Sequence, residues 1–178
     1  MTTGATVWLT GLPSAGKTTI AYELAGTLRA KGRRVEVLDG DEIRTFISAG
    51  LGFSRTDRHT NVQRIGFLAD LLARNGVTVL VPVIAPYADS REAVRRRHRQ
   101  SGTPYLEVHV ATPLEVCSKR DVKGLYARQA AGELTGLTGV DDPYEEPVSP
   151  DLRIESQHQT VRDSATAVHA LLTERGLA

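Results

Sequence analysis

The chain has 178 residues, enough to bury a full core, and reads as one domain over 1–178. Its 40% hydrophobic and 24% charged content is that of an ordinary soluble globular protein, and a net charge of +1 argues against a general nucleic-acid binder. No apolar run approaches the ~20 residues that span a bilayer, no signal-like apolar region opens the chain, and the lone Cys117 gives no internal disulfide, so a cytoplasmic protein without a membrane partner is expected.

The first predicted element is a buried strand over 6–10, where Thr6-Val7-Trp8-Leu9-Thr10 is apolar and partly β-branched. Gly11-Leu12-Pro13-Ser14-Ala15-Gly16-Lys17-Thr18 follows and fits G-x-x-x-x-G-K-[ST], the phosphate-cradling loop of nucleotide-binding enzymes. In that pattern Gly11 and Gly16 let the backbone curl, so that successive N–H groups face phosphate oxygens. Lys17 can reach the β- and γ-phosphates, and the Thr18 hydroxyl can ligate Mg²⁺. Thr19 continues into a helix over 17–31 with Ile20, Leu24 and Leu28 on one stripe, so the helix N-terminus is aimed at the anion. A strand, this loop and a helix in that order predict a nucleoside triphosphate site that takes in Gly11 to Thr19.

A second strand over 35–38 runs into Asp39-Gly40-Asp41-Glu42-Ile43-Arg44 and a helix over 41–48. Residues just past a strand's carboxyl end face the ligand crevice of a parallel sheet. Asp39 and Asp41 can there hold Mg²⁺ or accept a proton from an attacking hydroxyl, or either can simply cap the helix. Arg44, a turn further on, can clamp an anionic group. Phe53 precedes a helix over 57–75 and can either stack on a base or staple the helix start to the core. Arg58 and Asn61 are three apart on that helix, so they share a face. With Arg44 they form the set that a doubly anionic second substrate needs.

A third strand over 77–83 ends in Val83-Ile84-Ala85-Pro86-Tyr87, again at the crevice edge. The helix over 89–101 carries Arg95-Arg96-Arg97-His98-Arg99, read as a solvated face rather than a nucleic-acid patch. A strand over 105–110 and a helix over 113–120 follow, with Cys117 as a packing thiol. Arg120 can lie over adenine or phosphates, and Lys123 can neutralise phosphate charge. From Asp121 to Pro150 the chain is rich in glycine and proline and shows no convincing strand, with a short helix possible over Leu125 to Glu133. Such a stretch is a lid or a loose insertion, and the lid is favoured because phosphoryl transfer gains from excluding water. A strand over 152–155 and a helix over 160–175 complete the chain, with Val161, Ala165, Val168, Leu171 and Leu172 facing the sheet. The alternation predicts an α/β, P-loop nucleoside-triphosphate-binding fold, a parallel β-sheet flanked by helices with a lid around 121–150.

Taken together, these motifs resemble the adenylylsulfate kinases, which phosphorylate adenosine 5′-phosphosulfate (APS) on its 3′-hydroxyl. The likeness covers nearly the whole chain: the phosphate loop, Asp39-Gly40-Asp41 with Arg44, Leu51-Gly52-Phe53-Ser54 with Asp57-Arg58 and Asn61, and Pro86-Tyr87. It continues through Arg120-Asp121 with Lys123-Gly124-Leu125-Tyr126, Thr138-Gly139, and Pro143-Tyr144-Glu145 before Pro147. The resemblance implies catalytic roles for Asp39, as base or orienting group for the 3′-hydroxyl, and for Lys17. It implies an APS site of Asp41, Arg44, Phe53, Arg58, Asn61, Ile84, Ala85, Lys123 and Leu137, with Arg120 on ATP. Mg²⁺ with ATP, a homodimer and a functional link to a sulfate adenylyltransferase are implied too.

The chain departs from the family's commonest pattern in three places. Ala85-Pro86-Tyr87-Ala88 stands for Ser-Pro-Tyr-Arg, Leu137 replaces a lid phenylalanine, and Thr135 replaces a common lysine. Ala85 has no hydroxyl, so a phosphoserine route at that position is chemically impossible. These departures motivate one alternative, a kinase of the same fold acting on another nucleotide or small-metabolite hydroxyl; a nucleotide-dependent switch is a second, from a different class.

Overall fold

The computed structural model describes residues 4–178. Five strands form one parallel sheet in the order β2-β3-β1-β4-β5: β1 Ala5–Thr10, β2 Val35–Val37, β3 Thr78–Pro82, β4 Tyr105–Val110 and β5 Leu152–Ile154. β1 is central, with Val7 in register with Leu80 on one side and with Leu106 on the other. All six of its residues are buried, as the strand of a sheet covered on both faces must be.

Helices cover each face. On one side α1 (Lys17–Ala30) and α7 (Val161–Glu174) bury Ile20, Leu24, Leu28, Ala165, Val168 and Leu172 against Val7, Leu9 and Val108. On the other, α3 (Arg55–Arg74) and α4 (Ala88–Ser101) bury Val62, Ile65, Ala69 and Val94 against Trp8, Val79 and Val81. Each predicted strand and helix is present within two residues of its expected ends, save the short helix possible over Leu125 to Glu133, which stops at Ala130. α3 begins two residues early because Ser54 caps it, its hydroxyl oxygen accepting from Asp57 N at 3.1 Å. α7 begins at Val161 because Thr160 and Asp163 form a reciprocal capping box.

Two sequence expectations need correction. The basic run on α4 is not a uniformly solvated face: Arg95 turns in to Glu107, and His98 is fully buried with Thr6 Oγ1 at 2.9 Å. Only Arg96, Arg97 and Arg99 of that run are exposed. On α7, Val161 is 41% exposed and stands at the rim of a cavity rather than against the sheet.

The segment between α5 (Leu114–Arg120) and β5 has one short helix, α6 (Leu125–Ala130), and among the described residues its only β-type pairing is an isolated Thr138–Asp142 bridge. It is nonetheless tied down. Asp121, at φ 33°, ends α5 and receives Tyr126 N and Ala127 N at 3.0 Å each. Tyr126 Oη donates to Pro13 O at 2.9 Å, fixing α6 to the phosphate loop. Near the far end Glu145 N donates to Pro86 O at 2.8 Å. A loose insertion would carry no such bonds, so the segment is a lid seated on the crevice.

Candidate active site

A cavity of about 720 Å³ opens over the carboxyl ends of β1, β2 and β3, where the strand order reverses. Its wall at β1 is the phosphate loop. Ser14 (φ 62°) and Gly16 (φ 105°) adopt left-handed backbone, which turns the loop back onto the start of α1. Gly11 has a different job from the one its motif position suggests: a Cβ there would sit 2.5 Å from Val110 O, so it is needed for close approach to β4. Gly11, Leu12 and Ala15 lie behind the loop and do not line the cavity, whereas Pro13, Ser14, Gly16, Lys17, Thr18 and Thr19 do.

Lys17 folds over the loop, donating from Nζ to Gly11 O at 2.9 Å and Leu12 O at 2.7 Å. Burial holds its ammonium down to about 8, with Lys123 adding to the effect and Cys117, Asp41 and Asp39 opposing it. Cys117 itself is fully buried, burial raises its thiol, and Sγ lies 3.6 Å from Thr112 O, as fits a packing residue.

Opposite the loop, Asp39 is the N-cap of α2 (Gly40–Phe46) and yet keeps an oxygen for chemistry. Oδ1 accepts from Asp41 N at 2.9 Å, and Oδ2 accepts from Thr18 Oγ1 at 3.0 Å. The cap thus occupies one oxygen of the carboxylate and leaves the other turned to the loop. Asp41 does not cap; it forms an ion pair with Lys123 that bridges α2 and the lid across the cavity mouth.

The second half of the cavity is cationic. Arg44 and Arg58 flank the Phe53 ring, their guanidinium carbons 4.4 and 5.8 Å from its centroid. Burial first, and Arg58 second, depress Arg44 from the usual guanidinium value, opposed by Asp57 and Asp41. Phe53 is 65% exposed, so it does not staple α3 to the core. Arg58 is buried and donates to Phe53 O at 2.7 Å, Gly136 O at 2.6 Å and Asp142 Oδ2 at 2.9 Å, and also to Thr138 Oγ1. It therefore anchors the lid as well as lining the cavity. Asn61, one turn on, lines the same cavity, and its Oδ1 is buried with no partner among the described residues.

The floor is Ile84, Ala85 and Pro86. Ala85 sits at φ 43°, a left-handed conformation that costs a non-glycine residue about 1–3 kcal/mol. Leu137 closes the lid side, 5% exposed, its N–H held by Asp141 Oδ2 at 3.1 Å. Arg120 donates to Ser156 Oγ at 3.0 Å and Ala15 O at 3.3 Å, at the end of the cavity nearest α7. The same end is walled by Gln159, Thr160, Val161 and Ser164, of which the sequence reading assigned Val161 to packing and the others no role. Their position just beyond the carboxyl end of β5 is the signal that was available.

A parallel sheet carrying this loop, with an acidic oxygen across from it and a cationic chamber beyond, defines a P-loop phosphotransferase. The model of the family described as adenylylsulphate kinase matches residues 3–155. The chain belongs to that family. The adenylyl-sulfate kinase of Rippkaea orientalis is 51% identical over 175 residues, covering 97% of this chain and 93% of the relative. That of Myxococcus xanthus is 51% identical over 174 residues, 98% and 94% of the two chains. Among solved structures, the Mycobacterium tuberculosis APS kinase in complex with AMPPNP and APS superposes with a TM-score of 0.94 at 43% identity, covering 97% and 99%.

Proposed function

We infer that the chain is an adenylyl-sulfate kinase, transferring the γ-phosphoryl group of ATP to the 3′-hydroxyl of APS to give 3′-phosphoadenylyl sulfate and ADP. The observation that carries this beyond family membership is the pairing of Arg44 and Arg58 about Phe53 at the end of the cavity away from α7. A nucleotide-dependent switch has no use for a second anion-binding chamber, and a neutral metabolite would leave Arg44, which donates to Gly52 O but pairs with no carboxylate among the described residues, without a counter-ion. Asn61 lines the same chamber, and its amide suits the hydroxyls of a ribose and the edge of adenine.

In this reading the phosphate loop, Lys17 and Arg120 hold ATP. Arg44, Arg58 and Asn61 hold the phosphosulfate and ribose of APS, with Asp41, Phe53, Ile84, Ala85, Lys123 and Leu137 completing that site. Asp39 orients the 3′-hydroxyl and takes its proton as the O3′–P bond forms and the bond from the γ-phosphorus to the β–γ bridging oxygen breaks. Lys17 stabilises charge on the departing β-phosphate. Transfer is direct and in line, because Ala85 offers no hydroxyl to carry the phosphoryl group. The chain's contribution is positioning and charge neutralisation.

Mg²⁺ suits the residues present. Thr18 Oγ1 is a hard oxygen beside the loop, hydrogen-bonded to Asp39 Oδ2 at 3.0 Å. Among the described residues no group of three or more His, Cys, Asp or Glu forms a cage, which fits an ion shared with substrate phosphates. Bound there, the ion would neutralise charge on the β- and γ-oxygens. We further propose that the chain works as one domain, as a homodimer, in the cytoplasm, on the product of a sulfate adenylyltransferase. No described helix is long and apolar enough to cross a membrane.

The test is a coupled ADP-release assay against adenosine nucleotides that differ only at the 5′-group. APS should be preferred over AMP and adenosine by on the order of 100-fold or more in kcat/KM, as loss of a charge-assisted bidentate grip implies. Equal turnover of all three would reject the acceptor assignment.

A further inference from the structure

Arg91 is a charged side chain that touches neither half of the cavity, yet it is only 3% exposed. Its guanidinium donates from Nη1 to Ala85 O at 2.7 Å, from Nη2 to Glu145 O at 2.7 Å, and from Nε to Glu107 Oε1 at 3.1 Å. The first acceptor belongs to the cavity floor at its left-handed residue. The second belongs to the exit of the lid. The third is a buried carboxylate on β4 that also receives Arg95 Nη2 at 3.1 Å.

The same two segments meet in other bonds around this guanidinium. Glu145 N donates to Pro86 O at 2.8 Å, and Ala88 N donates to Glu145 Oε2 at 2.7 Å. Tyr144, just before, shares a 2.9 Å hydrogen bond with Thr10 Oγ1, which itself donates to Ile84 O. Only Pro143 and Tyr144 separate Glu145 from Asp142, the carboxylate paired with Arg58. Floor and lid exit are therefore one hydrogen-bonded unit with Arg91 at its centre, and Glu107 fixes the direction of the fork from the sheet.

Burying an ion pair brings little stability, because desolvation offsets the attraction, whereas a planar fork with three fixed acceptors specifies geometry. We propose that Arg91 is a positioning residue for the acceptor substrate: it sets the separation of the cavity floor at Ile84–Pro86 from the lid that carries Leu137, Thr138 and Asp142. It acts through Ala85 and Glu145 and does not touch substrate. ATP, held by the phosphate loop and Arg120, is outside its reach. This inference rests on the acceptor site assigned above.

The experiment compares the wild type with Arg91→Lys and with the double variant Arg91→Met/Glu107→Gln, measuring KM for APS, KM for ATP, kcat and the melting midpoint. Arg91→Lys keeps the charge beside Glu107 but cannot span three acceptors. It should raise KM for APS and lower kcat by a combined factor on the order of 10- to 100-fold, as misplacement of a reacting hydroxyl does, with KM for ATP within about twofold. The double variant removes the buried charge pair altogether. It should melt below the wild type, because Ala85 O and Glu145 O lose their donor and Arg95 loses a carboxylate, and still show the APS-selective defect. Restored APS kinetics in the double variant would overturn the proposal, since Arg91 would then serve only to neutralise Glu107. So would a loss that falls equally on both substrates in step with a lower melting midpoint. A wild type that does not consume APS would sink the acceptor assignment itself, a result separate from either of these.

Discussion

In the proposed mechanism, Asp39 satisfies folding and chemistry together. Its two oxygens are divided between Asp41 N and Thr18 Oγ1, so an amide can keep the cap while losing the base. Asp39→Asn should therefore fold and bind ATP normally while turnover falls by about 10²–10⁴. Near-normal turnover would remove Asp39 from the mechanism. Ala85 yields a second expectation: with γ-labelled ATP and no acceptor, the protein should stay unlabelled at this position, and an acid-stable label mapped to 84–88 would contradict direct transfer. The sequence pattern located Lys17, Thr18, Asp39 and Arg44 because strand-loop-helix spacing dictates which positions face the crevice. It misjudged Gly11, whose constraint is the carbonyl of Val110 on a neighbouring strand 99 residues away in sequence, something no local motif encodes. Arg91 was invisible for the same reason, its partners Glu107 and Glu145 being joined only by the fold.

At the level of elements, the lid has anchors on different substrates' sides. Tyr126 fixes α6 to the phosphate loop through Pro13 O, and Arg58 fixes 136–142 to α3. Tyr126→Phe removes one buried hydrogen bond, worth about 0.5–1.5 kcal/mol, and should raise KM for ATP a few-fold while sparing APS. Arg58→Lys keeps a cation but cannot serve four acceptors, and should raise KM for APS by roughly 10-fold or more with KM for ATP little changed. Steady-state kinetics of the two variants, varied in each substrate, checks the split; identical profiles would mean that the lid moves as one body without separate anchors. Strands and helices were legible because hydrophobic period and cap residues are local. The lid's course was not: its anchors are long-range, and its left-handed turns at Gly132, Gly136 and Gly139 announce bends without saying where they lead.

For the whole molecule, a polar layer beneath α4 ties the sheet to the lid and makes stability depend on pH. His109 is 2% exposed on β4, beside Tyr144 and in reach of Arg153 Nη1 at 3.2 Å. Burial, with help from Arg153 and Arg91 and opposed by Glu146, lowers its imidazole from 6.5 to about 4. An unfolded chain takes up this proton below about 6.5, and the folded chain only near 4, so the stability present above 6.5 is lost progressively as pH falls through that window. Denaturant midpoints at pH 7 and pH 5 should drop less for His109→Gln than for the wild type, and equal drops would exclude His109 as a source. The central claim, that two anionic substrates meet end to end in one cavity, is most directly tested by following the label of γ-labelled ATP in the presence of APS. The account predicts one labelled 3′-phosphate per ADP formed and almost no inorganic phosphate; release of the label as inorganic phosphate at a rate indifferent to APS would contradict it.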